Sequence, residues 1–187
     1  ICTYLDHPCQ VNIALSGVLA GMGVIRARIK AKESRFSYRL LVLPGAAGFA
    51  AWISQHRALI PRILGGLSLR MLARSLPHIM QHSSSGNTIL DTLCERELKK
   101  RDSASQIVSA NEVFNEFPGG GNPLYDGSGS WGNIPMVSLA RALPMDDLDF
   151  PFRGYLTDLD SLEKADFNAI KETCSIVKAI FNALEDT

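Results

Sequence analysis

The first seventeen residues, ICTYLDHPCQVNIALSG, constrain the fold of this chain more than any other stretch. An apolar run breaks at His7-Pro8, crosses a short polar turn and enters a helix of small residues. Residues 1–6 read as a buried strand and 13–29 as a helix, with Asn12 placed to cap it. A strand that feeds directly into a helix is the building unit of α/β proteins, whose ligands gather at the carboxyl ends of the strands. His7 stands at such an end and is the first candidate site residue.

The same alternation continues along the chain. Residues 37–43 form a second strand, closed by Pro44-Gly45, and a short helix follows over 46–55. Residues 63–72 read as a third, central strand with Gly65-Gly66 at its entry, 77–82 as an edge strand, and 134–139 as another short strand. An amphipathic helix over 87–100 carries Ile89, Leu90, Leu93 and Leu98, while 106–113 fits strand and helix equally well. In the last helix, Ile170, Cys174, Val177, Phe181 and Leu184 recur at four-three-four-three spacing, one continuous apolar stripe. Asp160 with Glu163 reads as its capping box. The helix at 13–29 is apolar nearly all round, as a helix wedged between layers would be, and Gly17 and Gly21 let it approach a neighbour closely. The expected fold is α/β: three layers, α/β/α, around a mixed, mostly parallel sheet. A single domain over residues 1–187 is expected, and because the chain opens directly on a strand, it reads as the later part of a longer one.

Charge and cysteine usage exclude several functions. Lys+Arg and Asp+Glu both number 19, so the basic surface that nucleic acid or an anionic membrane requires is missing. The basic stretch 26–32 closes a helix, where cations complement the macrodipole. Cys2, Cys9, Cys94 and Cys174 form no CxxC pair, which argues against a zinc knuckle and against a disulfide scaffold. Free thiols in the reducing cytoplasm are expected. The longest apolar run, 13–25, is broken by Ser16, Gly17, Gly21 and Gly23 and falls short of the roughly 18 residues of a membrane span. The partners left open are a small molecule or peptide, a companion domain, or a second copy of the chain.

Individual motifs are weak. His78 and His82 are four apart, a ligand spacing on a helix, yet PHIMQHS suits a strand equally and has no carboxylate nearby in sequence. The glycine-rich loop 119–132 lacks both the GK[ST] of a P-loop and the GxSxG of a nucleophile elbow, and reads as a pocket wall. Cys9 beside His7 suggests an activated thiol, but two residues apart on an extended segment the side chains diverge. Asp146, Asp147 and Asp149 lack the ordered ligand spacing of a calcium loop and read as solvated.

Several segments in register, ICTYLDHPCQVNIALSG, SYRLLVLPGAAGFAAWIS, LIPRILGGL, GNIPMVSLAR and YLTDLDSL, resemble a bacterial aminopeptidase-like family of unassigned role, related in fold to the zinc-dependent exopeptidases. The resemblance implies a two-zinc site built from an HPxxxNDxxSG segment, a glutamate after the proline of the second segment, an aspartate in the glycine-rich segment and the histidine of a YHT-like motif. In this chain His7, Asn12 and Ser16-Gly17 match, but Ile13, Gly45 and Leu156 stand where three ligands or bases belong, and Asn122 lies nearest the fourth. Isoleucine, glycine and leucine side chains coordinate nothing, and a lone imidazole cannot hold two closely spaced cations. No zinc or other cofactor, and no catalytic residue, is therefore expected.

The leading expectation is a pseudoenzyme that binds through a degenerate cleft formed by His7, Asn12, Gly45, Asn122 and Tyr155. A second is a hydrolase of altered chemistry that uses His7 with Cys9, Asp6 or Asp158. A third is an assembly domain whose cleft is closed by contact between Ile13 and Leu156.

Overall fold

In the computed structural model, residues 1–7, 10–31, 33–109, 134–144 and 146–187 are described. The glycine-rich loop, Cys9 and Asn122 lie outside them.

Strand β1 (Cys2–Tyr4) leads into a π-helical turn (Val11–Leu15) continuous with α1 (Ser16–Lys30). Strand β2 (Leu41–Leu43), α2 (Gly45–Gln55) and a 3₁₀ turn (Arg57–Arg62) precede β3 (Gly66–Leu69). Then come β4 (His78–Gln81), α3 (Ile89–Lys99), β5 (Gln106–Val108), β6 (Met136–Arg141) and α4 (Phe167–Glu185). The six strands form one sheet in the order β2-β1-β3-β6-β4-β5, parallel at every pairing except β4 against β6. This is the mixed, mostly parallel sheet expected from the alternation of strands and helices. The exception concerns β4: it lies between β6 and β5 rather than at an edge, and all four of its residues are buried.

Strand alternation distributes the core to both faces. Leu67, Leu69, Met80, Val137 and Leu139 enter the main core with Ala20 and Val24 of α1, Leu93 and Leu98 of α3, and the α4 stripe. Every member of that stripe, Ile170, Cys174, Val177, Phe181 and Leu184, is buried there, as its spacing requires. The opposite face carries Cys2 and Met136 under Phe49 and Ile53 of α2. Gly17 is the closest contact between α1 and the sheet: a Cβ there would lie 2.2 Å from the Leu69 carbonyl oxygen, so only glycine fits.

Three local expectations need correction. Helix α1 is not wedged between layers, because Leu15, Leu19, Met22 and Ile29 are exposed on its outer side. The segment Val11–Lys30, 20 residues of mean hydropathy 1.2, is also long and apolar enough to cross a membrane by length and composition alone. Its buried side, with Ala20 and Val24, packs into the main core, as the core helix of a folded domain does. Asn12 caps nothing; it lies inside the helical segment and is buried. Asp160 does not cap α4 either, a task that falls to Asp166, which accepts from the backbone N–H of Asn168 at 2.8 Å and Ala169 at 3.3 Å.

A buried polar network ties α4 to the sheet. His78 Nδ1 lies 2.7 Å from Asp102 Oδ2, and its Nε2 lies 2.9 Å from Thr173 Oγ1. Arg141 donates to Thr173 Oγ1 at 3.3 Å, to the Leu76 carbonyl at 2.8 Å and to Glu172 at 2.7 Å. With a neutral imidazole, Nδ1 donates to Asp102, and the single Thr173 hydroxyl proton is divided between Nε2 and the Ala169 carbonyl 3.1 Å away. Burial, reinforced by the Arg141 guanidinium, pushes the His78 pKa down to about 4 against the pull of Asp102. The metal spacing read for His78 and His82 thus falls on a strand, and each histidine has a carboxylate that is distant in sequence. His82 Nδ1 lies 3.3 Å from Asp91 Oδ1.

Two outcomes are expected. Ile180→Ala empties a fully buried core position and lowers stability by about 2–5 kcal/mol in urea unfolding, whereas Ile29→Ala, at a site 78% exposed, changes it by less than about 0.5 kcal/mol. Because the folded pKa of His78 lies below the ordinary 6.5, only the unfolded chain takes up that proton between the two values. Stability falls as pH drops through that window, and in an NMR titration the His78 ring protons stay unshifted until pH approaches 4.

Candidate functional site

The carboxyl ends of β1, β2 and β3 meet at one edge of the sheet, and the candidate residues hang from them. Beyond β1, Asp6 Oδ1 lies 2.6 Å from His7 Nδ1 in a partly exposed pair. Beyond β2, Gly45 opens α2 with φ +46, a conformation that favours glycine. A Cβ on Gly45 would lie 2.5 Å from Asp6 Oδ2, so the bare backbone of Gly45 and the carboxylate of Asp6 fit each other. Beyond β3, Arg70 is buried and Met71 holds a strained φ of +54.

The start of α1 is held from the far end of the chain. The Asp160 carboxylate, fully buried, accepts the backbone N–H of Asn12 at 3.0 Å and of Ile13 at 3.1 Å, and the Asp160 carbonyl accepts from Val11 at 3.1 Å. An anion at a helix N-terminus satisfies donors that have no partner within the helix and complements the macrodipole. Arg74 reaches the same carboxylate at 3.4 Å. The Asn12 carboxamide accepts from the Ala73 N–H at 2.6 Å, and Ser16 Oγ donates to the Asn12 carbonyl while accepting from Leu72 N at 2.9 Å. Asn12 and Ser16 therefore seat α1 on the loop after β3 rather than reaching outward. Asn12 Nδ2 is buried with no hydrogen-bond partner among the described residues.

Ile13 is buried against Met71, Ile79 and Phe152. Tyr155 packs edge-on against Phe152, with ring centroids 5.6 Å apart, and burial raises its phenol pKa against the opposing effect of Arg70. Leu156 adopts φ +57 and is exposed, outside the cluster that holds Ile13. The closed Ile13–Leu156 contact of the assembly reading does not form.

Of the candidates, the structure joins His7 to Gly45 through Asp6, and Asn12 to the Tyr155 loop through Asp160 and the Ile13–Phe152 cluster. Asn122 lies outside the described residues. Two residues escaped the sequence reading. Asp160 was assigned to the wrong helix. Arg70 had a visible signal, a lone cation within the apolar run GLSLRML.

The donor set among the described residues does not fit a pair of zinc ions. Among the described residues no group of three or more His, Cys, Asp or Glu side chains converges on a common point. The described positions that the resemblance assigns to ligands or base hold His7, Ile13, Gly45 and Leu156, and only the first can coordinate.

Comparison with known proteins identifies the family. Residues 1–187 match the family described as Domain of unknown function (DUF4910). The chain belongs to this family. No curated protein matches this DUF4910 chain. Among solved structures, a candidate peptidase from Clostridium acetobutylicum superposes with a TM-score of 0.84 at 23% identity, over 98% of this chain and 40% of that one. A zinc aminopeptidase from Bacillus subtilis gives 0.71 at 14% identity, over 98% and 45%. An aminopeptidase from Aneurinibacillus sp. strain AM-1 gives 0.70 at 15% identity, over 96% and 42%. The DUF4910 chain has the aminopeptidase-like fold and spans less than half the length of these structures.

Asp160→Ala should leave two buried N–H groups unsatisfied and cost about 2–4 kcal/mol, against about 1 kcal/mol for the exposed cap change Asp166→Ala. Urea midpoints of the two variants measure the difference.

Proposed function

We propose that this domain binds a small molecule or peptide in a cleft inherited from the aminopeptidase fold and does not hydrolyse it. The observation that carries the reading is the burial of Ile13 among Met71, Ile79 and Phe152, which turns an expected ligand position into core. Gly45 reinforces it: the residue has no side chain to act as general base, and the space a side chain would need is taken by Asp6. Nicastrin, a component of gamma-secretase, has a structure similar to this chain at a TM-score of 0.68 and 9% identity. That likeness supports use of the fold within assemblies. A cytoplasmic setting agrees with the buried free thiols of Cys2, Cys94 and Cys174.

One observation favours a second reading. Asp6 orients the His7 imidazole through Nδ1, and this leaves Nε2 to act as a base toward a substrate. A hydrolase of altered chemistry would use that pair.

Metal analysis after zinc loading and dialysis, with turnover of aminoacyl and amide substrates, separates the two. The binding reading expects substoichiometric zinc and no turnover above blank. Turnover abolished by His7→Ala would establish the hydrolase, and stoichiometric zinc lost with His7→Ala would overturn the degenerate-site reading.

A further inference from the structure

Side chains along β3 alternate between the two faces of the sheet. Leu67 and Leu69 enter the main core, so Ser68 stands on the opposite face, and Arg70, one residue past the end of β3, lies in the field of Tyr4 and Tyr155. Register sets Ser138 of β6 level with Ser68, and Gln81 of β4 level with Ser138. Cys2 pairs with Ser68, which brings Tyr4 to the level of Arg70.

Two apolar clusters share this face. One gathers Cys2, Phe49 and Met136 under α2, and the other gathers Ile79, Ala140 and Phe152 under the loop that carries Tyr155. Between them Ser68, Arg70, Ser138 and Gln81 form a hydrophilic strip in which no residue is more than 8% exposed. Ser138 Oγ is buried with no hydrogen-bond partner among the described residues. A buried hydroxyl without a partner among the described residues is costly, and a ligand oxygen beside the guanidinium would engage Ser138. Among the described residues the strip contains donors and a cation but no carboxylate, the reverse of the charge pattern a metal site requires.

We propose that this strip is the floor of the binding cleft and takes an oxyanion, a carboxylate or phosphate group of the ligand, on Arg70 with the Ser138 hydroxyl donating to the same group. The proposal rests on the binding reading above and names its ligand chemistry. It does not require Arg70 to be idle: a guanidinium has five donors in a fixed fork, enough to serve a structural partner and a ligand oxygen together. Tyr4 and Tyr155, the phenols in the Arg70 field, flank the site from β1 and from the loop. In effect the guanidinium supplies a fixed positive charge near the strand ends.

Isothermal titration and thermal melts of the 187-residue chain test this, with N-acetylglycine as carboxylate probe, inorganic phosphate as phosphate probe and chloride as the ionic-strength control. Saturable binding of at least one oxyanion is expected, and the stronger probe identifies the ligand group. Arg70→Gln should weaken it at least about tenfold and Ser138→Ala about threefold, while Ile29→Ala, on the exposed side of α1, leaves it unchanged. Should Arg70→Gln fail to fold, Arg70→Lys, which keeps the charge and loses the fork, and Ser138→Ala decide the question. The proposal is overturned if neither oxyanion saturates, or if affinity survives the Arg70 and Ser138 changes. Zinc-dependent turnover alongside intact oxyanion binding would remove the binding-only reading and leave this one standing. Absence of oxyanion binding with no zinc and no turnover would do the reverse.

Discussion

The structure depends on one carboxylate. Asp160 joins residues nearly 150 positions apart, and it does so at the junction where β1 passes into α1. That junction needs an anion for a simple reason: a helix start leaves backbone donors without partners, and here they are buried. Once Asp160 fills them, its loop has a fixed place over the sheet edge, and Phe152 and Tyr155 come with it. The apolar cluster around Ile13 then forms against that loop. Arg74, which contacts both the Asp160 carboxylate and the Phe152 ring, ties the same corner together.

A second constraint acts through α4. This helix covers the main core, and the His78–Thr173–Arg141 network fixes it to the β4–β6 pair. Apolar stripes specify that two elements meet but tolerate sliding; directional bonds set the position. The arrangement of His78 between Asp102 and Thr173 has the spacing of a catalytic relay. It is sealed inside the fold, and Thr173 is fully buried.

The sequence disclosed the elements whose signal is local. The α4 stripe repeats over four turns, and the central strands, buried on both faces, showed as short apolar runs. What escaped was long-range. Asp160 lies just ahead of a helix and looked like its cap, because nothing in the sequence tells which of two helix starts will claim a carboxylate. Strand β4 was placed at an edge because its partner β5 is a weak three-residue strand. The exposed side of α1 was hidden for a related reason: an all-round apolar helix predicts burial, and only the packing shows which side the fold leaves open. At the site, the resemblance named His7 and Gly45, which Asp6 joins, and Asn12 and Tyr155, which the Asp160 loop joins. Arg70 was overlooked although it stands out as a lone cation at the end of an apolar run.

The residues at the positions that the resemblance assigns to ligands are also not independent of their surroundings. Restoring an aspartate at Ile13 would bury a charge among Met71, Ile79 and Phe152, at a cost of several kcal/mol without a cation to offset it. Restoring a glutamate at Gly45 would force a side chain onto a left-handed backbone and into the Asp6 carboxylate. Asp6 in turn owes its position to the room that Gly45 leaves and to its bond with His7. Each replacement has been absorbed into the packing around it. The corner at the strand ends is accordingly held by its own contacts, with His7 bonded to a neighbouring acid and a buried arginine beyond β3.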